Sequence, residues 1–427
     1  MQLTTPYIYV CTVSKFNLPE FEACLLHKPA HIVLVVSNHK DAQQGAEQLT
    51  ELLSSELPNS QIHQPLTHCN NISLGGDDIA ECVSWINLQL KPLIASIENS
   101  VNSETEPLQR YLNTTGGTKA MLLALITSLK WDKLDYKPLQ QQTLQSIVPN
   151  LTSLPSSEAL KYRSDLSLED TSPLNVAKLY SKSMHEDKLN PIVSKDGSNA
   201  IAELIWNALS TPDHAIKRFF QGLNLLWSEQ RSLHKEDQIT CRWNDFYGSV
   251  FNPTDIFPFL MQLQELEPKA IDYNQTSITL PGNSAKKHNK ELKRWISGDW
   301  LEQLVFYWLV SADIPEKSIA RNIKVGDTDN SNSQREADLF IHHNARSSII
   351  EVKADLPSGK EIKDLEQQLS SLGDRFGRTQ KILLIGPLLS QALEQSNRLE
   401  SFKLRCKANS VKLCQSKSEL LSHFNKL

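Results

Sequence analysis

The chain has 427 residues, 40% of them apolar and 22% charged, which fits two or three globular domains and excludes collagen-like, disordered and coiled-coil chains. Its 44 Lys and Arg against 49 Asp and Glu leave a net charge of −5, so any nucleic-acid site has to be a local basic patch on an acidic body. No window reaches the ~20 apolar residues of a membrane span, the start MQLTTPYIYV lacks a signal-peptide layout, and the 7 cysteines form no C-x-x-C pair; a cytoplasmic protein with buried free thiols is expected.

Residues 6–13 (PYIYVCTV), 31–36 (HIVLVV) and 108–114 (LQRYLNT) are β-rich, and amphipathic stretches follow them at 41–56, 78–98 and 118–130. Strands alternating with helical patterns of this length predict βαβ units on a parallel sheet, so 1–150 reads as a doubly wound α/β domain with ligands at the carboxyl ends of its strands. N-T-T-G-G-T-K at 113–119 ends one such strand and opens a helix. Gly116 and Gly117 let the backbone turn with positive φ, Thr118 starts the helix with its amides free, and Lys119 adds a cation, a combination suited to a phosphate. The bland alternative is a tight strand-to-helix turn that simply needs glycines. Neither the Walker A pattern nor G-x-G-x-x-G is met, so ATP hydrolysis and NAD binding are not indicated. Ser14 and Lys15 end the first strand, where such folds place ligand contacts.

From about 150 to 200 the composition shifts to Ser, Pro, Asp and Lys, as in a linker, with a helix possible at 173–185. Residues 201–265 are helix-rich and carry Trp206, Phe219, Phe220, Trp227, Trp243 and Phe246, and ITLPG at 278–282 reads as a strand and turn. Three helices with a short hairpin would suit a winged-helix-like middle region over 151–297. KKHNKELKR at 286–294 is a basic run, as is 401–418 with Lys403, Arg405, Lys407, Lys412 and Lys417; each is a solvated face or a phosphate track.

The last domain, 298–427, opens on the helix DWLEQLVFYWLV, whose apolar residues surround almost its whole circumference, so that Glu302 is a costly buried carboxylate unless it has a partner. The strands ADLFI and SIIEVKA follow, joined by the expected loop HHNARSS, then a helix at 360–372 with Gln367 and Gln368, the strand KILLIG and a last helix. Alternation places Glu351 and Lys353 on one strand face. If Ile341 pairs with Ser348, Asp338 lies opposite Glu351 on that face. Two carboxylates so close repel unless a divalent cation lies between them; Mg²⁺ or Mn²⁺, held by Glu302, Asp338 and Glu351, fits the all-oxygen donor set and suits phosphodiester hydrolysis. Lys353 would position the attacking water or stabilise charge on the phosphoryl oxygens. Taken alone, E-V-K is equally a solvated pair on an exposed strand. Glu336, on the same face as Asp338 but farther from the loop, is its alternative, and His342 and His343 fall in the loop.

A buried-helix Glu, Asp338, the E-x-K strand and a following helix with Gln368 resemble the PD-(D/E)xK nuclease core, with the departure that the acid stands in R-E-A-D rather than after Pro. The whole layout resembles the CRISPR-associated Rossmann-fold (CARF) nucleases of type III systems. T-T-G-G-T-K at 114–119 is similar to that family's phosphate-binding turn, S-G-D-W-L-E at 297–302 to the start of its nuclease helix, and L-G-D-R-F-G at 372–377 to the segment after it. The resemblance implies an α/β protein with a Rossmann-like CARF sensor at the N-terminus and a restriction-endonuclease-like domain at the C-terminus. It also implies a homodimer whose sensor cleft binds a cyclic oligoadenylate, with cyclic tetra-adenylate the expected ring, through Ser14, Thr114, Thr115, Gly116, Gly117, Thr118 and Lys119. The catalytic set would be Glu302, Asp338, Glu351, Lys353 and Gln368, acting on DNA, RNA or both in antiviral defence. A rival reading is a nucleotide-sensing DNA-binding regulator whose nuclease-like domain is inert.

Overall fold

The computed structural model describes residues 7–69, 72–101, 108–138, 141–149, 163–180, 183–186, 195–211, 215–229, 238–244, 252–266, 271–281, 294–326, 335–354, 361–376 and 379–424. The apolar runs near the N-terminus form β1 (Tyr7–Val13), β2 (His31–Val36) and β3 (Gln61–His63), separated by α1 (Leu18–His27) and α2 (Lys40–Glu56). A small pair, β4 (His68–Cys69) and β5 (Ile72–Ser73), precedes α3 (Ile79–Trp85), which runs through a π-helical turn at Ile86–Leu90 into α4 (Lys91–Ser100). Then come β6 (Gln109–Asn113), α5 (Lys119–Ser128), β7 (Lys133–Tyr136), β8 (Thr143–Ile147) and β9 (Arg163–Ser167).

These strands build a seven-stranded sheet in the order β3-β2-β1-β6-β7-β8-β9, parallel from β3 to β7 and antiparallel beyond. Both faces of its centre are buried, which is why β1 and β2 read as unbroken apolar runs rather than alternating ones. Ile8, Val10, Val33, Val35 and Leu112 pack toward α3 to α5, whereas Tyr9, Cys11, Ile32 and Leu34 pack toward α1 and α2. The first sheet continues past residue 150, because Thr143–Ile147 pairs with Arg163–Ser167.

The stretch with linker composition contributes α6 (Pro173–Lys178) and β10 (Ser183–Glu186). The helix expected over 173–185 therefore ends at Lys178: backbone groups of the later residues bond in antiparallel fashion to β14 (Ile319–Gly326), a long-range partner that local pattern does not reveal. The middle region holds α7 (Lys195–Ser210), α8 (Ala215–Glu229), β11 (Gln238–Arg242), α9 (Phe257–Leu266), β12 (Asp272–Tyr273) and β13 (Ser277–Pro281). Its strands form a three-stranded sheet, β11-β13-β12, where a short hairpin was expected.

A π-helical turn, Trp295–Asp299, leads into α10 (Trp300–Ser311), followed by β14, β15 (Arg335–His343), β16 (Arg346–Lys353), α11 (Glu361–Arg375), β17 (Gln380–Ile385), α12 (Pro387–Gln395), α13 (Leu399–Ala408), β18 (Val411–Cys414) and α14 (Lys417–Ser422). The second large sheet has the order β10-β14-β15-β16-β17-β18. One face, with Ile323, Phe340, Ile349, Leu383 and Ile385, shares a core with α11 and α13. The other, with Leu339, Ile341, Ile350, Val352 and Leu384, packs on α10 and, through it, on Ile201 and Ile205 of α7. Each such fully buried aliphatic side chain stabilises the fold by roughly 1.5–3 kcal/mol.

Candidate functional site

The hairpin of β15 and β16 sets the geometry. Its register is Ile341↔Ser348 and Leu339↔Ile350, and the next step along it brings Asp338 to Glu351. The ladder stops there because the Asp338 carboxylate, only 8% exposed, accepts the Val352 amide at 2.7 Å. Lys353 Nζ lies 2.6 Å from Glu351 Oε1 and 3.9 Å from Asp338 Oδ2, so the ammonium joins the two acids. Burial, then Glu351 and Glu302, hold Asp338 well above the ordinary carboxylate range. Burial would lower the Lys353 ammonium, but Glu351 and Asp338 more than offset it and keep it above its usual value.

Glu302 reaches the same region from α10. Burial, reinforced by Asp299, pushes it up to about 7, and its Oε2 is buried without a hydrogen-bond partner. An unsatisfied buried carboxylate oxygen is costly, and it is the kind of atom a divalent cation satisfies. Among the described residues no three His, Cys, Asp or Glu side chains stand close enough to enclose an ion as they are. The donor chemistry of Glu302, Asp338 and Glu351 is nonetheless all oxygen, as Mg²⁺ or Mn²⁺ requires.

Sequence reasoning missed three neighbours. Arg294 Nε pairs with Asp299 Oδ2 at 2.9 Å, and the Arg321 guanidinium lies 4.8 Å over the Phe306 ring while attracting Glu302 and Asp299. Asn322 falls opposite Asp338, between the pairs Arg321↔Leu339 and Ile323↔Ala337, and interrupts β14 with φ 50. It is 1% exposed, and both polar atoms of its side chain lack partners. Backbone in the left-handed region inside a strand is strained, and such strain collects at functional sites. A lone Asn in R-N-I-K gives no sequence signal for this; only the backbone angle does.

Gln367 and Gln368 are exposed on α11, among the buried Leu365, Leu369 and Leu372. Glu336 is exposed, which leaves Asp338 as the buried acid of R-E-A-D. His342 and His343 end β15 rather than forming a loop: the expected HHNARSS loop is a two-residue turn of Asn344 and Ala345, with φ 52 and 56. His342 is buried and faces Glu22 of α1, and His343 pairs with Asp170, so neither points into the carboxylate cluster. Of the basic run at 286–294 all but Arg294 lies outside the described residues. In the other, Lys403 pairs with Glu400, Arg405 with the buried Glu366 and Lys417 lies over Trp308.

A second constellation crowns the first sheet. Between β1 and β6 the strand order reverses direction, and loops after these two strands flank the crevice where α/β sheets bind ligands. Ser14, after β1, is closed into a tight loop by Asn17, whose side chain accepts the Ser14 amide and donates to its carbonyl. After β6, Thr114 donates from its amide and its hydroxyl to the Asp135 carbonyl, and Thr115 Oγ1 accepts the Lys137 amide. Gly117 has φ 74, Thr118 caps α5 by accepting the Met121 amide, and Lys119 is exposed. The turn is thus tied down on its β7 side, and Thr118 also donates from its hydroxyl to the Gly76 carbonyl.

No protein-family model matches the sequence, and no curated protein does. Solved structures do. The chain superposes on protein VC1899 from Vibrio cholerae with a TM-score of 0.66 at 15% identity, covering 98% of this chain and 97% of that one. It superposes on Can2 from Sulfobacillus thermosulfidooxidans, solved in complex with cyclic tetra-adenylate, with a TM-score of 0.63 at 16% identity, covering 99% and 97%. Over nearly its whole length this chain therefore has the α/β fold of VC1899 and Can2.

Proposed function

We propose that this protein is a metal-dependent nuclease activated by a cyclic oligoadenylate. The observation that carries the reading is the meeting of Asp338, Glu351 and Lys353 at one end of the β15–β16 hairpin, with Glu302 electrostatically coupled to them from a buried helix. Glu302, Asp338 and Glu351 would hold Mg²⁺ or Mn²⁺, which when bound supplies a nucleophilic water and neutralises charge on the phosphate. Lys353 presents its ammonium beside both acids, where it stabilises negative charge developing on phosphoryl oxygens. Asp338 is fixed by the Val352 amide, so its orientation is set before any substrate arrives.

The effector half of the reading rests on the 114–119 turn and Ser14 at the crevice of a sheet like that of Can2, which is bound to cyclic tetra-adenylate. Leu123 and Ile126 on one face of α5, and Ile79 and Leu88 on the neighbouring helical segment, leave apolar side chains 39–51% exposed. Such a face suits a second copy of the chain, and a two-fold dimer would present the turn twice to a ring of repeated phosphates.

The test incubates the purified protein with Mn²⁺ and either supercoiled plasmid or single-stranded RNA, with and without cyclic tetra-adenylate. Degradation that needs the activator is expected, and Glu351→Ala or Lys353→Ala should abolish it while activator affinity stays within about twofold. Cleavage that survives both substitutions removes the assigned site. Sequence-specific retardation of DNA without degradation would favour the regulator reading.

A further inference from the structure

Helix α1 carries a carboxylate that neither site has used. Glu20 is 0% exposed, and neither of its oxygens makes a well-formed hydrogen bond; the nearest donors are its own amide and that of Gly116. It lies directly beneath the glycine turn, since a Cβ on Gly116 would collide with Glu20 Oε1 and the Thr12 carbonyl oxygen. Thr12 Oγ1, which crowds the same position at Gly117, and Asn113 Nδ2 at the end of β6 are also buried without partners. A pocket of unsatisfied polar atoms therefore lies immediately below the surface proposed to receive a phosphodiester.

We propose that Glu20 is a positioning residue for the effector: as a neutral carboxylic acid it supports the Gly116–Gly117 turn in a form that accepts a phosphodiester anion, and on ionising it withdraws that turn. The inference rests on the effector reading above and deepens it. Two physical effects act in the same direction. An ionised Glu20 would compete with the ligand for the Gly116 amide, the donor it already faces. It would also place a negative charge behind the turn, within a medium of low dielectric, where repulsion of a phosphate is poorly screened.

Burial pushes the Glu20 carboxyl up to about 8, opposed by its own amide, by Lys137 and by the Gly116 amide. The other titratable groups facing it are Cys11 of β1 and Tyr180, which follows α6. Both are neutral near pH 8, since burial raises each. Among the described residues, Lys137, lowered by burial to about 8, is the neighbour that titrates in the same range. Its loss of charge would also weaken anion binding at high pH, so the variant at Glu20 is needed to separate the two.

Affinity for cyclic tetra-adenylate is measured from pH 6.5 to 9.5 on the full chain and on Glu20→Gln. The wild type should bind with constant affinity up to about pH 8 and then weaken by nearly tenfold per pH unit, whereas Glu20→Gln should stay within about threefold throughout. Calorimetry of the wild type in two buffers of different ionisation enthalpy gives an independent readout, with net proton uptake expected on binding at pH 8.5. A wild-type profile flat to pH 9.5, the same slope in Glu20→Gln, or binding without proton uptake overturns the role of Glu20 and leaves the effector reading standing. Absence of binding by the wild type at every pH overturns the effector reading itself, and the role of Glu20 with it.

Discussion

Gly117 and Gly298 are both next to residues of interest, yet their surroundings differ. A Cβ at Gly117 would lie 2.7 Å from Thr12 Cβ, and its φ of 74 is one that side chains resist. Gly117→Ala should therefore cost about 2–4 kcal/mol, the left-handed penalty and the overpacking acting together, read as a lower denaturant midpoint. Gly298, in the π-helical turn before α10, has nothing within 4 Å of such a Cβ. Gly298→Ala should instead gain about 0.5–1 kcal/mol, since it only restricts the unfolded chain and favours helix. Loss of stability at Gly298 equal to that at Gly117 would show that the space, rather than the backbone angle, had been misjudged.

At the level of elements, the β15–β16 hairpin is tied by Asn344 and Ala345, both at positive φ, as a two-residue hairpin turn demands. Asn tolerates this conformation and Ala does not, so Ala345→Gly should raise stability by about 0.5–1 kcal/mol in thermal or denaturant unfolding; a decrease would contradict the turn. The same hairpin shows what the sequence discloses. Alternation in ADLFI and SIIEVKA places Asp338, Glu351 and Lys353 on one face, and the Ile341↔Ser348 register, a condition of that reading, is the one the hairpin adopts, which brings Asp338 to Glu351. The turn was not legible: His342 and His343 look like loop residues, yet they pair with Ser347 and Arg346 in the hairpin, and their side chains meet Glu22 and Asp170, far away in the chain. Asn322 and Glu20 were illegible for the same reason, since a left-handed residue inside a strand and a buried orphan carboxylate are defined by surroundings that local periodicity does not encode. Gln368, by contrast, comes from motif order alone, and it is exposed on α11.

Across the whole molecule, the two large sheets meet at a buried polar cluster. Glu22 of α1 binds Lys137 and is approached by Thr171 at 3.3 Å and by His342 of β15 at 3.6 Å. Leu18 and Tyr180 pack against the cores of both sheets around it. Lys137→Met would strand the Glu22 carboxylate in this interior and should cost about 3–5 kcal/mol, whereas adding Glu22→Leu should recover most of that loss. His342 adds a pH signature. Burial lowers it to about 4, with Lys137 acting in the same sense and Asp170 against it. Between pH 4 and about 6.5 the unfolded chain therefore binds a proton that the folded protein refuses, so the stability contributed by this group is complete above about 6.5 and is lost as pH falls through that window. The loss attributable to one such histidine is on the order of 3 kcal/mol. Unfolding free energies of wild type and His342→Gln, measured side by side from pH 7 to 4, should converge by about that amount as the pH drops. Curves that stay parallel would mean that His342 binds its proton equally well in both states, and a wild type that gains on the variant as the pH falls would mean that an ion pair with Glu22, not a neutral imidazole, joins the two sheets.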